Sequence, residues 1–193
     1  HLPTIINTSA CPPIPGAAYQ TLSVNPPPTD RPAAEHGDLN LALRSYVQTS
    51  GVLGLVTYGG GSDSRAPQLA GLFADQRTPA FASVHKVNDW DWACNCRGAP
   101  IGWPDVTLAR LAATPGEIIA LPPSGYQIGN GYQALVLYAS AERLTLTYTR
   151  NDNIVHGYAL HIEDICVEPS LLTLYTAANA GGRAALPALR GGQ

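Results

Sequence analysis

Glycine and proline together take 36 of the 193 positions (19 Gly and 17 Pro), and they do so throughout the chain. Glycine weakens element interiors, and proline fixes φ and removes an amide donor. Short strands joined by tight turns are therefore favoured over a helical bundle. Eight of the prolines fall within residues 1–36, including Pro12-Pro13 and the triplet Pro26-Pro27-Pro28. Such a segment builds neither a helix nor a central strand. It reads as an extended arm or stalk, with 17–24 its one strand-like piece, leading into a single β-rich domain over 37–193.

Within that domain Asp38 stands ahead of Leu39, Ala42, Leu43, Tyr46 and Val47. Those apolar positions recur at helical spacing, so a short helix is predicted there, capped by Asp38 and stopped near Gly51. Residues 52–58 read as a strand running into Gly59-Gly60-Gly61. The glycine run lacks the Lys-Ser/Thr of a phosphate loop and reads as a turn. Strands are predicted over 80–87, 90–96, 106–112, 117–121, 133–139, 143–149 and 154–162. Turn residues separate them at Arg97-Gly98, Thr114-Pro115-Gly116, Pro122-Pro123-Ser124-Gly125 and Asn151-Asp152-Asn153. In 144–149 leucine and tyrosine alternate with threonine, as in a strand whose two faces differ. A second short helix opens at Pro169, carries Leu171, Leu172 and Tyr175 on one side, and ends at Gly181-Gly182. The fold class is all-β, mainly an antiparallel sandwich or barrel, with two short helices. The tail from Leu186 to Gln193 shows no domain-closing strand, so the domain reads as cut short at its C-terminus.

Charged residues are only 13% of the chain, and the formal net charge is -3. Lys86 is the single lysine, and the arginines are scattered. No basic stripe exists to neutralise a phosphate backbone, which argues against nucleic acid as a partner. No apolar run is long enough to span a membrane. The chain contains no methionine, which reads as a processed or trimmed product. Its four cysteines are Cys11, Cys94, Cys96 and Cys166. An even count in a small, turn-rich chain points to two disulfides and an oxidising compartment outside the cytosol. On one strand Cys94 and Cys96 would share a face, so each is expected to pair with one of Cys11 and Cys166.

Two stretches carry candidate chemistry. One is His85-Lys-Val-Asn-Asp89, with a His and an Asp four apart. The other is Gly157-Tyr-Ala-Leu-His161-Ile-Glu163. Together with the β-rich interval between them, residues of about 80–193 resemble the M23 (lysostaphin-like) zinc peptidases, which cut peptide cross-links in bacterial cell walls. The resemblance implies His85, Asp89 and His161 as zinc ligands, with a fourth position left for an activated water. Ala159 stands where that family has its other histidine of H-x-H, and Thr149 or Arg150 near its auxiliary one, the pattern of a decayed site.

The run Asp89-Trp-Asp-Trp-Ala-Cys94 offers a different use. Trp90 and Trp92, with Trp103 nearby, can stack on sugar rings, or else fill the core behind the cysteines. His1, as a free terminus, would suit copper chelation of the kind found in polysaccharide monooxygenases. Gly60-Gly61-Ser62-Asp63-Ser64 lacks the second glycine of a nucleophile elbow, so serine hydrolase chemistry is not indicated. The reading that follows is a non-catalytic secreted or cell-surface β module without a cofactor. It would bind an envelope polysaccharide or peptidoglycan, or self-associate through its low-charge surface. A zinc peptidase and a copper monooxygenase are the enzymatic alternatives.

Overall fold

The computed structural model describes residues 11–24, 30–54, 63–102, 107–148 and 158–193. The chain is mostly β, with nine strands among these residues in two antiparallel sheets. In order they are β1 (Gln20–Ser23), α1 (Leu41–Arg44), β2 (Tyr46–Thr49), β3 (Phe81–Asp91), β4 (Cys96–Pro100), β5 (Thr107–Leu111), β6 (Ala134–Ala139), β7 (Arg143–Thr147), β8 (Ala159–Glu163), α2 (Pro169–Ala180) and β9 (Ala185–Leu189). The larger sheet is open, with strand order β1-β9-β6-β7-β8. In the smaller one β3 pairs with β2, while β5 and β4 pair with successive parts of β3.

The main core belongs to the larger sheet. Every residue of β6 is buried, and Leu135, Val136 and Leu137 are wholly excluded from solvent. Fully burying such a side chain stabilises by about 1.5–3 kcal/mol. Leu171 and Tyr175 of α2 join the same cluster, as do Ala33 and Leu39 from the segment before α1. Buried Val84, Val87 and Trp90 of β3 lie outside it, so the principal core sits against one sheet rather than between two.

Helix α2 forms where proline and apolar spacing placed it. Pro169 occupies its first turn, and the Glu168 carboxylate accepts from the Leu171 amide at 2.9 Å. After Gly182 and Arg183, both at positive φ, the chain turns back into β9. The buried Arg183 guanidinium donates to the Leu137 carbonyl at 2.8 Å and to Asn179 at 2.9 Å, fixing the helix end to β6.

Several sequence expectations are corrected. The tail does contain a strand: β9 lies between β1 and β6. Pro187 disguises it, yet the β6 ladder uses Ala188 and Leu189, beyond the proline. The arm is likewise not a separate stalk over its described length. β1 pairs with β9, and Leu22 and Ala33 enter the core. The helix predicted to continue to Val47 stops after four residues, because Ser45 adopts a φ of 56° and Tyr46–Thr49 pairs with β3. Asp38 caps nothing and forms an ion pair with Arg44 instead. Residues 80–96 are one long strand and a turn rather than two strands, and 117–121 is not a strand. In β7 both faces are covered, since Thr145 and Thr147 are as buried as Leu146. The strand and glycine turn read over 52–61 lie mostly outside the described residues.

Candidate functional site

The turn joining β3 to β4 gathers several exposed side chains with candidate chemistry. β3 ends at Asp91, and β4 begins at Cys96, directly opposite in register. Between them the Asp91 carboxylate accepts from the Ala93 amide at 2.8 Å, and Asn95 takes a φ of 52°. Asparagine tolerates that left-handed conformation better than most residues. The Asn95 side-chain oxygen accepts from the Trp90 indole at 3.2 Å and from the Arg31 guanidinium, so arm and turn are locked together.

The two indoles are separated by this geometry. Trp90, still within the strand, is only 6% exposed and packs on Gly37. A Cβ at Gly37 would sit 2.7 Å from the indole. Gly37→Ala is therefore expected to cost about 1–3 kcal/mol, seen as a lower urea midpoint. Trp92, just past the strand end, is 43% exposed. The Arg31 guanidinium lies 5.1 Å from its ring centroid, and the His36 ring 4.9 Å away. Burial pushes His36 below the ordinary histidine range against the opposing pull of Asp38 and Asp30, and its Nδ1 accepts from the Asp38 amide. A neutral imidazole, a cation and an indole thus share one surface. Trp90 is corrected from a polymer-binding candidate to a core residue, and Trp103 lies outside the described residues.

Both disulfides are present, with pairing different from that expected. Cys11 joins Cys166, and Cys94 joins Cys96. The expectation assumed that both middle cysteines lay on a strand. They flank a reversal at Asn95, which brings them together.

His85, Asp89 and His161 do not assemble into a metal site. His85 lies mid-strand against the Tyr46 ring at 5.2 Å, and the Asp89 carboxylate accepts from the Trp90 amide at 2.8 Å. Four residues of extended strand cover roughly 13 Å, too far for one ion to bridge without a bend. His161 belongs to β8 in the other sheet. The Thr145 hydroxyl donates to the Leu39 carbonyl at 2.5 Å and therefore accepts from His161 Nδ1 at 3.1 Å. Desolvation pushes His161 down to about 4, with Asp38 opposing and Arg44 reinforcing. It supports Thr145, whose hydroxyl ties the segment before α1 to the sheet. Among the described residues, the one trio of His, Cys, Asp or Glu close enough to share an ion is Asp91, Cys94 and Cys96. His1, the candidate copper ligand, is outside the described residues.

A second concavity, of about 700 Å³, lies between the arm, residues 113–121 and β7–β8, with Ile14, Tyr19, Leu144 and Ile162 on its walls. It also includes Glu168, whose carboxylate is already engaged by Leu171 and Ser170. Sequence reading missed Arg31, His36 and Asn95 as partners of the Trp92 turn. Asn between two cysteines was the available signal, since it favours a reversal over a strand.

The fold and site define a disulfide-bonded, two-sheet antiparallel β protein with an exposed aromatic turn. Compared with known proteins, the chain matches no family model, no curated protein and no solved structure.

Proposed function

We propose that this chain is a non-catalytic β module acting outside the cytosol, which binds a neutral or weakly charged envelope or matrix polysaccharide through Trp92. The observation that carries the reading is an exposed indole held on a cross-linked turn beside Arg31 and His36. An indole face covers the C–H face of a sugar ring, and flanking donors engage its hydroxyls. Because the turn is already fixed, little ordering entropy opposes binding. Two disulfides support an oxidising location. Among the described residues no helix is long and apolar enough to cross a membrane. The zinc peptidase reading lacks comparable support, since its three ligands lie apart.

Titration of the full chain with soluble neutral polysaccharides and with peptidoglycan glycan fragments, followed by tryptophan fluorescence, tests this. At least one glycan is expected to shift the emission, and Trp92→Ala should weaken binding about tenfold to hundredfold. Equal binding by Trp92→Ala, or silence toward every glycan, would sink the proposal.

A second reading is favoured by a separate observation. Edge strand β2 exposes Tyr46 and Val47, and Val52 and Leu53 beyond it are also exposed. An apolar edge with unpaired backbone groups is suited to pairing with another copy. Sedimentation at rising concentration should then show dimers that Val47→Lys abolishes. A strict monomer would remove this reading.

A further inference from the structure

The turn that presents Trp92 also places two sulfurs and a carboxylate together. The ligand atoms of Asp91, Cys94 and Cys96 all lie within 4.8 Å of one another, and all three residues are exposed. Around one tetrahedral zinc, with Zn–S of about 2.3 Å and Zn–O of about 2.1 Å, donor atoms sit roughly 3.5–3.8 Å apart. The trio therefore needs only a small closing movement of the carboxylate and a small separation of the sulfurs. That separation is what opening the disulfide provides.

The Cys94–Cys96 bond encloses a single residue, Asn95. So short a loop has little closure entropy to remove from the unfolded chain, and the bond gains correspondingly little from folding. Its exposure leaves both sulfurs open to attack. The turn does not depend on the sulfur–sulfur bond alone. Trp90 and Arg31 hold Asn95, and one Asp91 oxygen holds the Ala93 amide, leaving its second oxygen for a ligand.

We propose that Asp91, Cys94 and Cys96 form a zinc site that a thiol reductant unlocks. A reductant thiolate attacks one cysteine sulfur, breaks the Cys94–Cys96 bond and forms a mixed disulfide. A second reductant thiolate attacks the reductant's sulfur in that intermediate and releases the other cysteine. The reductant leaves as its own disulfide, the two electrons it gave up now reside on Cys94 and Cys96, and two protons complete the thiols. Zinc then displaces those two protons and takes both thiolates and the free Asp91 oxygen, with water completing the tetrahedron. Two thiolates select zinc over magnesium or calcium, which prefer oxygen donors throughout. In the oxidised chain the same sulfurs are bonded to each other, so binding and oxidation exclude one another. This site is independent of the saccharide reading, for a chain that binds no glycan can still take up zinc.

The test uses the full chain, reduced with a monothiol that is then removed under inert gas, with alkylation and mass spectrometry of a sample recording which bond has opened. Zinc is titrated against a chromophoric indicator. The reduced chain is expected to bind one zinc, and the oxidised chain none. Binding should vanish in Cys94→Ser and weaken at least tenfold in Asp91→Asn. Cobalt in place of zinc should show sulfur-to-metal charge-transfer bands, a signature that a merely structural role would not produce. The proposal is overturned if the reduced chain takes no zinc, if oxidised and reduced chains bind alike, or if Cys94→Ser leaves binding intact. Unchanged affinity in Asp91→Asn would remove the carboxylate and with it the trio.

Discussion

Replacing Cys11 and Cys166 with serine is expected to lower the unfolding free energy by about 5 kcal/mol, much of what a domain of this size possesses. The size of the effect follows from a sequence separation of 155 residues between the bonded cysteines. Opening so large a loop restores conformational freedom to most of the unfolded chain. The bond also ties residues just ahead of β1 to the segment between β8 and α2, so its loss leaves the arm held by the β1–β9 pairing and by Leu22 and Ala33 in the core. The paired substitution Cys94→Ser, Cys96→Ser should cost about a third as much on the same chain-entropy grounds. Urea denaturation of the two double variants side by side gives the comparison. Equal losses would show that loop length is not what sets the stability here.

Acid should destabilise the protein through His161 before it does so through the carboxylates. In the unfolded chain this imidazole takes a proton near its ordinary value of 6.5, whereas the native site holds it down to about 4. The unfolded state therefore binds more protons across that interval, and stability falls as the pH falls. The contribution is complete above about pH 6.5 and drains away as the pH drops through 4. A gap of this size is worth about 3 kcal/mol. His36, also lowered by burial, acts in the same direction. Asp63 and Glu117 are held below their ordinary carboxylate values, the first chiefly by the Tyr126 hydroxyl and the second by the Arg77 guanidinium. Their loss belongs to more acid conditions. In His161→Gln the slope of stability between pH 6.5 and 4 should flatten, whatever the variant's stability at neutral pH. An unchanged slope would show that His161 does not titrate in that window.

The elements most legible in the sequence were those whose local pattern agreed with their tertiary use. α2 had proline at its start, apolar spacing and a glycine stop, and β6 to β8 had alternation or continuous apolar character. Where long-range contacts decided, the pattern misled. Leu39 to Val47 is periodic enough for a helix, yet pairing with β3 takes Tyr46–Thr49 as a strand. Pro187 argues against a strand within the sheet, yet the ladder to β6 forms beyond it. The metal reading failed because spacing along a strand says nothing of what the opposite sheet brings near. His161 faces Thr145 and the Asp38–Arg44 pair, not His85. The trio that does converge was partly visible as an Asp followed by two closely spaced cysteines, but recognising it required Asn95 as a reversal.

The Cys11–Cys166 bond also decides how the chain would carry mechanical tension. A pull applied at the two ends passes through the sulfur–sulfur bond and bypasses everything between those cysteines. Roughly 500 Å of potential extension is thereby locked away. Of the described elements, only α2 and β9 lie outside that loop and can be drawn out. A tethered copy would stretch briefly and then hold, as a stop rather than a spring.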